Sequence, residues 1–85
     1  MKQLRYVITD PEGIHARPAA LLIKLTTGFS SVITMEKGGK SGDAKRIFAV
    51  MGLGVKQGEE VLITAQGPDE DRAIKEIEDF LKENL

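Results

Sequence analysis

His15 is the only histidine of this 85-residue chain, and it stands in the run Gly13-Ile14-His15-Ala16-Arg17-Pro18-Ala19-Ala20. Imidazole titrates near neutrality, so it serves equally well as nucleophile, proton carrier or ligand. A solitary histidine is more often structural or merely exposed, and the neighbours decide between the readings. Pro18 has no amide hydrogen and fits a helix only in its first turn, which starts a helix close to Ala16 and puts His15 at or beside the N-cap. The unpartnered N–H groups of Ala16 and Arg17 then face an anion held at the ring, while the helix dipole disfavours imidazolium and keeps the ring nucleophilic. Arg17 adds a permanent cation whose planar fork matches phosphate oxygens. Gly13 permits the backbone turn that exposes the ring instead of burying it. Together these describe a nucleophile in an anion cradle. Glu12, three residues before His15, either orients an imidazole N–H or repels a phosphate; an exposed turn acid is the simpler reading.

Other chemistries are excluded by what the chain contains. With no cysteine, disulfides, thiolate nucleophiles and Cys-based zinc sites fall away, and no metal or cofactor is expected. Gly39-Lys40-Ser41 resembles the end of a P-loop, but Thr34 stands where that motif needs its first glycine. Gly52, Gly54 and Gly58 have the wrong spacing for a dinucleotide fingerprint. With 12 basic and 13 acidic residues the net charge is -1, so there is no nucleic-acid footprint and recognition must come from local patches. No segment approaches the roughly 20 apolar residues of a membrane span, and the alternating N-terminus has no signal-peptide core. A cytoplasmic protein is expected.

The elements that position the histidine follow from periodicity. Gln3 to Thr9 reads as a strand with Leu4, Tyr6 and Ile8 on one face, closed by the turn Asp10-Pro11-Glu12-Gly13. A helix runs from Ala16 to about Thr27, with Ala19, Leu22 and Ile23 inward and Gly28 as its stop. Ser31 to Glu36 and about Lys40 to Ala44 form a hairpin around Lys37-Gly38-Gly39. Ile47 to Leu53 fits either a short helix or a buried strand, because periodicity does not separate them at that length. After the turn Lys56-Gln57-Gly58, Glu59 to Ala65 is a strand. Gly67-Pro68-Asp69-Glu70 opens the last helix with proline near its first position. Ile74, Ile77, Leu81 and Leu85 mark its buried stripe, with Ala73 and Phe80 beside it. The order β-α-β-β-α-β-α makes an α+β fold, and residues 1–85 have room for a single domain only.

Gly13-Ile14-His15-Ala16-Arg17-Pro18-Ala19 resembles the active-site signature of the HPr family, the phosphocarriers of the bacterial phosphoenolpyruvate-dependent sugar phosphotransferase system. The resemblance spans essentially the whole chain. It implies an HPr-like open-faced β-sandwich, a four-stranded antiparallel sheet with three helices on one face. It further implies that His15 is phosphorylated on Nδ1 by phosphorylated enzyme I, that Arg17 stabilises the phosphoryl group, and that the group passes to enzyme II A-domains. On this reading the protein is a co-substrate and not an enzyme, and a monomer that keeps its histidine face free. A shuttle serving several partners needs a shallow, convex site.

Lys45-Arg46-Ile47-Phe48-Ala49-Val50-Met51-Gly52-Leu53-Gly54 is similar to the second signature region of that family. By resemblance Ile47, Phe48 and Met51 form a partly exposed apolar docking patch, with burial of Phe48 weighted equally; Lys24 on a basic rim and Arg46 adding positive charge to the docking face are further expectations, each weighed against a merely solvated side chain. Arg46 stands where many relatives carry a regulatory serine, so seryl phosphorylation is absent at this position, and Ser41 is no obvious substitute. A regulatory paralogue in another phosphorelay and an anion-binding module without transfer are the alternatives. A small phosphatase is a further alternative, but it would need a clustered acid or amide to place an attacking water, and the sequence reading finds none.

Overall fold

The computed structural model describes residues 1–85. Its elements are β1 (Lys2–Val7), α1 (Ala16–Thr26), β2 (Val32–Lys37), β3 (Lys40–Asp43), α2 (Ile47–Met51), β4 (Glu60–Gln66) and α3 (Glu70–Asn84). The ambiguous segment after Lys45 is thus a helix. Its five residues are too few for a 3.6-residue period to declare itself.

The four strands form one sheet in the order β1-β4-β2-β3, every neighbouring pair antiparallel. Alternation then sorts the side chains by face. Leu4 and Tyr6 of β1 stand opposite Ile63 and Val61 of β4, and Ile33 and Met35 of β2 stand opposite Ala65 and Ile63. This face is apolar, and the three helices cover it. Arg5, Leu62 and Glu36 share the other, open face, along with Gln3, Thr64 and Thr34. Gly38 and Gly39 close the β2–β3 hairpin with φ of 56° and 84°, the left-handed pair that a two-residue turn of matching twist requires. The core between sheet and helices draws Ala19 and Leu22 from α1, Val50 from α2, and Ala73, Ile77 and Leu81 from α3, all essentially without solvent contact.

Two expectations for α3 need correction. Pro68 lies outside the helix, preceding the N-cap Asp69, because the first turn begins only at Glu70. The deepest stripe is Ala73, Ile77 and Leu81, strictly four apart, whereas Ile74 and Phe80 are only half-buried against the core. Ile74 is one position round the helix from that stripe, and its side chain reaches the rim instead of the centre. Glu70 and Asp71 occupy the first turn, where negative charge complements the dipole.

Asp69 does not cap its own helix. Its carboxylate accepts the Ser30 and Ser31 N–H groups at 2.8 and 2.9 Å and the Ser31 hydroxyl, tying the start of α3 to the entry of β2. The Ser31 hydroxyl first, then the Ser30 amide, hold its carboxyl below the ordinary carboxylate range. A carboxyl depressed in the folded state contributes stability above its unfolded-state value and loses it as pH falls through the folded one. Thermal melts of Asp69→Ala are expected several degrees below the unsubstituted protein at neutral pH, with the gap closing in strong acid. A gap independent of pH would assign the effect to packing instead of charge.

Candidate functional site

The histidine loop is held down by backbone. Gly13 has φ +65°, and a Cβ on it would lie 2.2 Å from the Val55 carbonyl oxygen, so only glycine passes there. Its N–H donates to the Asp10 carbonyl at 2.9 Å, and the Ile14 N–H donates to the Val55 carbonyl at 3.1 Å. At the loop's start, the Thr9 and Asp10 N–H groups donate to the Leu85 carbonyl at 2.6 and 3.0 Å. Ile14 is buried beneath, and the residue after it emerges at the helix start.

His15 is the N-cap of α1, extended at φ -90° and ψ -178°. Its carbonyl accepts the Ala19 N–H at 3.0 Å, but its side chain caps nothing. The ring is therefore free for chemistry, with 35% of its side-chain surface exposed. Ala16, Arg17 and Pro18 fill the first turn, as their types require. The Ala16 and Arg17 N–H groups have no acceptor within the chain. Arg17 is exposed and takes part in no ion pair. Uncommitted amides and a free guanidinium are what a phosphate-sized anion would use at this helix end.

The ring's other flank is acidic. Nε2 lies 3.5 Å from Oε2 of Glu12 and 3.6 Å from Oδ2 of Asp10. The second Asp10 oxygen accepts the Glu12 N–H at 2.8 Å, an Asx turn that folds both carboxylates under the ring. Glu12 stands at ion-pair distance from the imidazole, while 74% of its side chain stays exposed, as expected for an acid in the turn. Asp10 escaped the sequence reading, where it counted only as a turn former. An aspartate two residues before an acidic residue in a Pro-containing turn is the signal that could have found it. The ligating atoms of Asp10, Glu12 and His15 all lie within 4.8 Å of one another, the chain's one grouping of three potential metal ligands. Solvent-facing trios of this kind are common without an ion, and they carry no metal assignment here.

The second region presents its apolar residues outward. Phe48 is 86% exposed and Met51 37%, while Ile47 is half-buried against the core. Arg46, the N-cap of α2, is exposed, makes no side-chain cap and has no ion pair. The structure does not bring Lys24 to His15: it sits in the last turn of α1, about 13 Å along the axis. Lys24 shares a face of α1 with Arg17 and Leu21 by three- and four-residue spacing, and Leu21 is exposed too, a surface apolar residue that the sequence reading passed over. No enclosed pocket opens anywhere on the surface.

Residues 2–83 match the family described as the PTS HPr component phosphorylation site. Among solved structures, HPr from Thermoanaerobacter tengcongensis is 44% identical with a TM-score of 0.92, covering 96% of this chain and 92% of its own. The histidine-containing phosphocarrier protein of a Mycoplasma is 40% identical with a TM-score of 0.94, covering 96% and 93%. Crh, the catabolite repression HPr of Bacillus subtilis, is 36% identical with a TM-score of 0.79, covering 100% and 98%, and is seen as a swapped dimer.

The Gly13 contact makes a direct prediction. Gly13→Ala places a methyl group against the Val55 carbonyl and a left-handed φ on an L-residue, for a loss of about 2 kcal/mol or more in denaturant unfolding. An unchanged unfolding midpoint would show that the loop is not pinned there.

Proposed function

The chain belongs to the HPr family of phosphocarriers, and from that premise we propose that His15 accepts a phosphoryl group on Nδ1 from phosphorylated enzyme I and passes it to enzyme II A-domains. The observation that carries the reading is the half-exposed ring at the open start of α1, with uncommitted N–H groups and an unpaired arginine beside it. The Nδ1 lone pair attacks phosphorus as the donor's bond to it breaks, and the acceptor repeats the step in the other direction. Arg17 and the helix end meet the charge on the phosphoryl oxygens. Most of the catalytic field then comes from the partner's side, because phosphoryl transfer depends mainly on positioning and electrostatics. The protein is consumed and regenerated as a co-substrate.

Docking on this reading uses Phe48 and Met51 with the edge of Ile47. Arg46, Arg17 and Lys24 supply a positive rim that favours acidic partner surfaces. The methionine adapts to more than one partner. Arginine at position 46 offers no hydroxyl, so regulation by seryl phosphorylation at this site is closed to the protein. The working unit is a cytoplasmic monomer of one domain over residues 1–85. No helix is long and apolar enough to cross a membrane. A regulatory relay is the second reading, favoured by the likeness to Crh; it retains His15 and differs only in the acceptor.

Incubation with phosphoenolpyruvate and enzyme I is expected to add one acid-labile phosphoryl group by intact mass, absent in His15→Ala. No gain with a folded protein would reject the carrier reading. Arg17→Ala is expected to slow phosphorylation about tenfold or more. Phe48→Ala is expected to weaken enzyme I binding by about fivefold to tenfold in titration calorimetry, while stability changes by less than about 0.5 kcal/mol.

A further inference from the structure

We infer that Asp10 and Glu12 are positioning residues that hold the proton of His15 on Nε2 throughout the transfer cycle. The inference deepens the phosphocarrier reading and rests on it. Both carboxylates approach the same ring nitrogen, at 3.6 and 3.5 Å, and neither is spent on another cation. The backbone that carries them is tied down, while the Glu12 side chain itself stays 74% exposed. Asp10 is fixed by its N–H to Leu85, Glu12 by its N–H to Asp10, and the ring by the N-cap backbone over Gly13.

A neutral imidazole carries one proton, and negative potential at Nε2 selects the tautomer with the proton there. Nδ1 is then left with its lone pair, facing away from the acids. When Nδ1 bonds to phosphorus, the donor's bond breaks and its electron pair leaves with the donor group. The ring becomes a phosphoimidazolium, its positive charge shared with the Nε2–H that the carboxylates face. When the P–N bond breaks to the acceptor, its electron pair returns to Nδ1 and neutral imidazole leaves, with no proton moved. Loss of the Nε2 proton would instead make an imidazolide the leaving group, and the phosphoryl group would be stranded on the ring.

The surroundings make this support necessary. Arg17 in the first turn of α1 and the positive end of that helix favour a neutral ring. Asp10 and Glu12 are thus the groups that counter those charges at the ring.

Ring ¹⁵N titrations of the unphosphorylated protein test proton holding without reference to any partner. The midpoint is expected to fall by about half a pH unit in Glu12→Gln, and further in the double variant with Asp10→Asn, while Glu12→Asp keeps most of the effect. After phosphorylation with phosphoenolpyruvate and enzyme I, the ³¹P midpoint is expected to fall in the same order, and spontaneous loss of the phosphoryl group at neutral pH to slow several-fold. An unmoved ¹⁵N midpoint in the folded double variant would overturn the inference. A moved ¹⁵N midpoint with unchanged ³¹P midpoint and dephosphorylation would overturn its part in transfer. Failure of the unsubstituted protein to gain phosphate would instead sink the carrier reading and the transfer role with it, leaving the ¹⁵N result to stand for the resting ring.

Discussion

A peptide backbone without a side chain, pressed against the Val55 carbonyl, decides where the histidine goes. Gly13 brings the end of β1 onto the segment leading to β4, and the next two residues become the floor and the N-cap of α1. The same segment is bound from below: the Ile8 N–H donates to Glu59 and the Gly58 N–H to Ile8, while Leu85 accepts from Thr9 and Asp10. Three stretches far apart in the chain therefore meet under a loop of a few residues. The ring is exposed, yet its base is as constrained as a core position. That combination suits the proposed carrier role, in which the histidine would enter other proteins' active sites in a defined pose without a pocket of its own.

The electrostatics around that ring are two-sided. The helix end and Arg17 suit a phosphoryl dianion, and carboxylates on the opposite flank suit a ring cation. Placed on different atoms of the same imidazole, they would serve the two charges that the proposed transfer brings together when phosphorus bonds to nitrogen. The near-zero net charge of the chain hides this arrangement, because it is a matter of placement and not of sum.

Much of this was legible in the residues. Pro18 located the start of α1 and so the N-cap position of His15, and alternation in β1 gave that strand's apolar face. What escaped was set by tertiary contacts. Helix period did not say which of Ile74 and Ala73 lies deeper, because the choice depends on where α3 rests on the sheet. Pro68 looked like a first-turn residue until Asp69, drawn away to Ser30 and Ser31, took the N-cap. Phe48 offered burial and exposure on equal terms, since a five-residue helix has one face for the core and Val50 fills it. Asp10 went unnoticed because its partner is reached through a turn and not through spacing.

The place of β4 between β1 and β2 governs how the chain assembles. Only the β2–β3 hairpin joins strands adjacent in sequence, whereas Lys2 pairs with Ala65 and Val32 with Gln66. As the chain leaves the ribosome, β1 and the hairpin emerge with the strand that joins them still unmade. Leu4, Tyr6, Ile33 and Met35 stay without their partners until residues 60–66 arrive. Closing those loops is an entropic cost met late and all at once, which makes insertion of the central strand the slow event of folding. The histidine loop, seated on the segment just before β4, takes its shape in that same event, so an incomplete chain does not display the site.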